Sequence, residues 1–139
     1  MIRVHIFNTH RGYRPDVELI RRTARQVFRR EKRSDAECNI VFIQDERMIE
    51  LNGKYLDHWF TTDVLTFPLG GAKAKELIGE IYINIDQARR QALDYNVFIK
   101  DEILRLTIHG TLHLMGYRDT SKRQKAEMTR LEDFYLMLK

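Results

Sequence analysis

The run His109-Gly110-Thr111-Leu112-His113-Leu114-Met115-Gly116-Tyr117-Arg118-Asp119 constrains this chain more than any other segment. Two histidines four residues apart share a face when the segment is helical. A glycine three residues after the second histidine supplies the left-handed residue that ends such a helix. A turn of that kind can swing Asp119 back beneath both rings. Two imidazoles and a carboxylate, with one position open, make the ligand pattern of catalytic rather than structural zinc. A His pair at this spacing also occurs on solvated helix faces, and Asp119 alone could be a loop residue or a cap. The glycine and the carboxylate at their spacing favour the metal reading. Zinc peptidases place a glutamate directly after the first histidine to activate water. Here that position is Gly110, which has no side chain to accept a proton.

The periodicity predicts a helix from Lys100-Asp101 to Met115. Glu102, Arg105, Leu106, His109 and His113 fall on one face, and Leu104, Ile108, Thr111 and Leu114 on the other. Such a helix is largely buried and makes a rigid platform for ligands. Residues 2–8 and 79–85 alternate apolar and polar, which predicts strands. Residues 39–44 are an apolar β-branched run, and residues 63–68 read as a strand stopped by Pro68. Pro15 suits the first turn of a helix whose buried stripe is Val17, Ile20, Ala24, Val27 and Phe28. Asp45 is placed to cap a short helix ending at Asn52-Gly53. Gly70-Gly71 opens a loop running to about Leu77. A helix follows over 86–95. Ser121 and Gln124 have the spacing of a capping box for the last helix. Its inner stripe is Met128, Leu131, Phe134 or Tyr135, and Leu138. The expected architecture is α+β, with a small mixed sheet of about four strands packed against several helices and the metal at one helix end. Residues 1–139 are expected to form one domain.

A hydrophobic fraction of 43% beside 32% charged residues fits a soluble, globular chain. Cys38 is the only cysteine, which rules out an intrachain disulfide and a thiolate cluster for structural zinc. That usage fits a reducing cytoplasm. The apolar runs are too short to cross a membrane, and the N-terminus lacks the apolar stretch of a signal peptide. The net charge of +4 is modest, but its distribution is uneven. Arg21, Arg22, Arg25, Arg29, Arg30, Lys32 and Arg33 crowd one predicted helix and its end. Arg118, Lys122, Arg123 and Lys125 border the His motif. Clustered cations attract phosphate backbones, though the first group also reads as an ordinary solvated face.

Several segments together resemble the YbeY-type endoribonucleases, which mature ribosomal RNA. His109, Gly110, Leu112, His113, Leu114, Gly116 and Tyr117 match that family's His-Gly-x-Leu-His-Leu-x-Gly-Tyr-Asp-His motif. Leu51-Asn52, Thr62-Asp63-Val64-Leu65-Thr66-Phe67-Pro68 and Gly79-Glu80-Ile81 are similar to further family segments. The family's third ligand is usually histidine; here it is Asp119, and Arg118 stands where an aspartate is usual. Carboxylate oxygen is an ordinary zinc ligand, so the site is expected to survive the change. Leu56 stands where the family commonly has an arginine thought to assist at the phosphate, which leaves His58 as the candidate to replace it.

The resemblance implies one zinc ion held by His109, His113 and Asp119, and single-stranded RNA, ribosomal RNA in particular, as substrate. It further implies a small-subunit ribosomal protein and an assembly GTPase as partners. His58 and Arg118 are candidates to act at the phosphate, and Arg105, Lys122 and Arg123 candidates to bind RNA. Asp63 and Glu102 are candidates to hold the ligand imidazoles. Tyr117, Trp59 and Phe60 could stack unpaired bases, although core or loop packing suits each of them as well. Two other readings stay open: an RNA-binding assembly factor whose metal is mainly structural, and a metallopeptidase, against which Gly110 argues directly.

Overall fold

The computed structural model describes residues 1–70 and 75–138. The alternating and β-branched segments form strands β1 (Ile2–Asn8), β2 (Ala36–Ile43), β3 (Val64–Pro68) and β4 (Leu77–Asn84). The helices are α1 (Val17–Arg30), α2 (Asp45–Leu56), α3 (Ile85–Tyr95), α4 (Ile99–Leu114) and α5 (Lys122–Met137). Among the described residues the strands make one mixed sheet in the order β1-β2-β4-β3. β1, β2 and β4 run parallel, and β3 pairs antiparallel with β4 at the edge. The fold is α+β, as the pattern predicts.

Strand periodicity divides the sheet into two unlike faces. Cys38, Ile40, Phe42, Ile81 and Ile83 face the main core, where they meet Ile20, Ala24 and Phe28 of α1 and Ile103, Leu104 and Leu106 of α4. The opposite face carries a small cluster built on Ile43, Met48 and Leu51, with Val41, Leu65 and Tyr82 against it. Elsewhere this face mixes exposed apolar side chains, Phe7 and Ile78 among them, with polar ones, and Glu37 pairs there with Arg3 and His5.

α4 lies directly on the sheet at Gly110. A Cβ there would come within 2.7 Å of Ile81 Cγ2 and 3.4 Å of Val64 Cγ2. The peptidase position therefore faces the sheet and is closed by close packing. α5 carries the predicted capping box, with Ser121 and Gln124 each satisfying a backbone N–H of the first turn.

Three boundaries differ from the sequence reading. Pro15 lies just outside α1; Asp16 is the cap and accepts from the Leu19 N–H. Asp45 is the first residue of α2 rather than its cap, and Gln44 precedes it without a side-chain bond. α2 also runs on through Asn52-Gly53 to Leu56 and stops at the left-handed Asp57. Gly53 lies inside the helix with the Trp59 ring against it; a Cβ there would meet ring atoms at 2.1–2.4 Å, which accounts for the glycine. The loop expected from Gly70-Gly71 falls largely at 71–74, outside the described residues.

Released from capping, Asp45 ties α2 to the neighbouring elements. Its carboxylate accepts from Arg90 at 2.7 and 2.9 Å, from Asn84 Nδ2 at 2.7 Å and from Thr61 Oγ1 at 3.0 Å. Arg90 above all holds the carboxyl at about 2, against an ordinary 3.8. A depressed carboxyl stabilises the fold above its unfolded pKa and loses that contribution as pH falls through the folded value. Asp45→Asn is thus expected to cost about 1–2 kcal/mol at neutral pH, after discounting for solvent at Arg90. Denaturant unfolding across the acid range checks this. The gap between variant and wild type should shrink from about pH 4 towards pH 2, and a pH-independent gap would refute the assignment.

Candidate metal centre

His109 and His113 stand one turn apart on α4, both partly buried, with their Nε2 atoms 2.9 Å apart. The helix ends in the geometry that its glycine predicts. Gly116 sits at φ +100°, its N–H donates to the His113 carbonyl at 3.0 Å, and the Tyr117 N–H donates to the Leu112 carbonyl at 3.1 Å. This pair of bonds is a Schellman stop. No heavy atom would crowd a Cβ on Gly116, so backbone conformation alone calls for glycine there. The turn reverses the chain and brings Asp119 Oδ2 to 3.4 Å from both Nε2 atoms.

That triangle suits an ion. Bonds of about 2.0–2.1 Å at tetrahedral angles separate ligand atoms by about 3.4 Å. Two edges match this spacing, and the histidine–histidine edge is somewhat shorter. Two imidazole nitrogens and one carboxylate oxygen are an established zinc donor set. His109, His113 and Asp119 are the residues that would hold the metal.

Both rings are fixed from behind. His113 Nδ1 lies 2.8 Å from the Tyr117 carbonyl, so it carries the proton and donates. His109 Nδ1 lies 2.5 Å from Glu132 Oε2. A proton on each Nδ1 leaves both Nε2 lone pairs directed at the Asp119 side. Burial alone would depress the His109 pKa, but the Glu132 carboxylate outweighs it, helped by Asp119 and Asp63, and the net shift is upward.

Glu132 is the residue that the sequence reading missed. It lies on α5, only 3% exposed, between Met128 and Tyr135 on the inner stripe. Its other oxygen accepts from Arg105 at 3.0 Å. Arg105 also donates to Glu102 at 2.9 Å, and Glu102 accepts from Gln91 at 2.7 Å. A polar chain thus runs Gln91–Glu102–Arg105–Glu132–His109. A buried charge of this kind is tolerated only when paired on every side. The available clue was an acid in an apolar helical stripe.

The remaining expected site residues divide by location. Glu102, expected beside an imidazole, touches Arg105 and Gln91 and reaches His109 only through that chain. Arg105, expected at phosphate, instead faces Glu102 and Glu132, with Tyr95 beneath its guanidinium at 5.7 Å. Asp63 pushes the His109 pKa upward through space; its own hydrogen bonds go to Thr62 and the Asn84 N–H. His58 stacks on Phe60 with centroids 5.3 Å apart, and among the described residues no hydrogen bond or ion pair joins it to a ligand. Arg118 is exposed and lines a cleft of about 480 Å³ together with His113, Arg33 and Pro68. It also lines a neighbouring cleft with Arg123 and Arg130. Lys122 is exposed in the first turn of α5.

The turn that carries Asp119 is anchored from the far side. Glu31, at the end of α1, accepts the hydroxyls of both Tyr117 and Tyr135. Bonding to that carboxylate pushes the Tyr117 phenol up to about 12. Tyr117 therefore orients His113 through its carbonyl while its ring is held by α1.

The chain is similar to known proteins over most of its length. The family model described as endoribonuclease YbeY matches residues 7–138. The endoribonuclease YbeY of Chloroherpeton thalassium is 40% identical over 119 residues, covering 86% of this chain and 83% of that protein. That of Cytophaga hutchinsonii is 37% identical over 120 residues, with 86% and 83% covered. The solution structure of a Thermotoga maritima protein superposes with a TM-score of 0.69 at 28% identity, over 98% of this chain and 87% of that one. The family model spans most of the chain, relatives 40% and 37% identical each cover 86% of it, and the chain belongs to the endoribonuclease YbeY family.

Proposed function

We propose that this chain is a zinc-dependent endoribonuclease acting on single-stranded RNA, in maturation of the 16S ribosomal RNA 3′ end and in ribosome quality control. The observation that carries the reading is the His109–His113–Asp119 triangle opening beside a cleft lined by Arg118 and Arg33. Family membership supports the class of reaction. A bound zinc ion supplies positive charge to a phosphoryl oxygen and a template for the leaving group. Phosphodiester cleavage develops negative charge on oxygen, so flanking cations stabilise its transition state. On this reading Arg118, exposed at the cleft, meets that charge, and Lys122 and Arg123 bind the RNA backbone; their exposure beside the cleft supports it. His58 is the candidate to supply what Leu56 lacks. RNA brings its own nucleophile in the 2′-hydroxyl, and the packed Gly110 leaves no peptidase base. The partners on this reading are ribosomal RNA, a small-subunit ribosomal protein and an assembly GTPase, met in the cytoplasm. Among the described residues, no helix is long and apolar enough to cross a membrane.

A second reading makes the protein an RNA-binding assembly factor with a structural metal. The buried chain from Gln91 to His109 favours it, because it couples a ligand to the core. One experiment separates the two. Single-stranded and duplex forms of one RNA sequence are incubated with protein stripped of metal and reloaded to measured occupancy. Cleavage should rise in proportion to bound zinc and spare the duplex. Full occupancy with neither strand cut, but a raised melting temperature, would hand the case to the assembly factor.

A further inference from the structure

The sheet face turned away from α4 carries a pocket that the metal centre does not use. Arg47, Tyr55, Phe67, Pro68, Glu80 and Tyr82 line a cleft of about 360 Å³ between α2 and the β3–β4 edge. Three of its rings form a continuous edge-to-face row. Tyr55 meets Phe67 at 5.5 Å and 63°, and Phe67 meets Tyr82 at 5.7 Å and 77°. Tyr55 is 64% exposed, so its ring is not placed there by core packing. At the floor, Tyr82 donates its hydroxyl to Glu80 Oε1 at 3.2 Å. Arg47 stands at the mouth, bound on one side to Glu50 at 2.7 Å. Pro68, at the end of the edge strand, lines both this pocket and the cleft that holds His113 and Arg118.

We propose that this pocket binds an unpaired nucleobase of the RNA whose backbone lies in the metal-side cleft. The proposal rests on the ribonuclease reading and deepens it by naming a base-recognition subsite. Exposed aromatic faces stack bases without regard to sequence, and pairing-edge contacts then discriminate among them. Here Glu80 is an acceptor, so the favoured base presents N–H donors on its pairing edge. Guanine presents two adjacent ones. Arg47 meets the adjoining phosphate. On this proposal the RNA passes the end of the edge strand at Pro68, which lines both clefts.

The test uses one end-labelled single-stranded oligonucleotide and a set in which each base in turn is replaced by an abasic unit. Zinc-loaded wild type, Tyr55→Ala and Glu80→Gln are compared for kcat and KM. Tyr55 is exposed, and Glu80→Gln preserves shape, so both variants keep the fold. Each variant is expected to raise KM about tenfold and to leave kcat within about twofold. One abasic position should raise the wild-type KM by a similar factor and add nothing further in Tyr55→Ala. Unchanged KM in both variants, or abasic losses that simply add to those of Tyr55→Ala, would overturn the subsite while leaving the ribonuclease reading intact. If wild type cuts no RNA, that reading fails instead. The pocket is then judged by affinity for the same oligonucleotide in chelator, where Tyr55→Ala must weaken binding about tenfold or the proposal falls.

Discussion

Glu132→Ala is expected to destabilise the fold by about 3–5 kcal/mol and to weaken zinc binding 10- to 100-fold. Both effects come from one buried carboxylate serving two partly buried partners. Its removal leaves the Arg105 guanidinium paired with Glu102 alone and takes the acceptor from His109 Nδ1. A partly buried cation that loses one of two counter-charges costs more than an exposed ion pair gains. Freed to rotate, the His109 ring no longer aims Nε2 at the other ligands. Glu132→Gln separates the two effects. It keeps volume and one acceptor, so it should recover much of the stability while still binding zinc less tightly. Urea unfolding measures the first quantity, and competition with a chromophoric chelator the second. Wild-type values of both in Glu132→Ala would mean that the polar chain behind the metal carries no energy.

His113→Ala is expected to lower zinc-dependent RNA cleavage by about 10³-fold, the equivalent of several kcal/mol of transition-state stabilisation. Two ligand atoms would remain, too few to hold an ion against water in an open cleft. The fold itself should survive, because His113 is partly exposed and gives up a single hydrogen bond to the Tyr117 carbonyl, worth about 1 kcal/mol. The variant also controls for contamination. A trace ribonuclease carried through purification would cut equally in both preparations, and equal rates would remove the assignment of cleavage to this centre.

What could be read from the sequence was whatever is local. The His pair, the glycine stop, the capping box at Ser121 and the four strands each depend on residues within a few positions of one another. Glu132 was out of reach because it lies twenty-three residues from the ring it orients. On its own helix it reads as an interruption of an apolar stripe. Arg105 misled for the same reason. Its place on the His face suggested phosphate, while its partners come partly from α5. The end of α2 escaped because Asn52-Gly53 reads as a stop, whereas here the glycine makes room for the ring of Trp59. Local chemistry names the ligands, and long-range packing decides what stands behind them.

The grip of Glu31 on Tyr117 and Tyr135, together with that of Glu132 on His109, bears on the order of synthesis. The ribosome makes α1 first, the His motif much later and α5 last of these. Before α5 docks, the His109 imidazole lacks its acceptor, and the turn bearing Asp119 is held by α1 and by its bonds to the end of α4. Ligands alone therefore do not complete the centre. A centre built in this way is complete only once α5 has packed against α4.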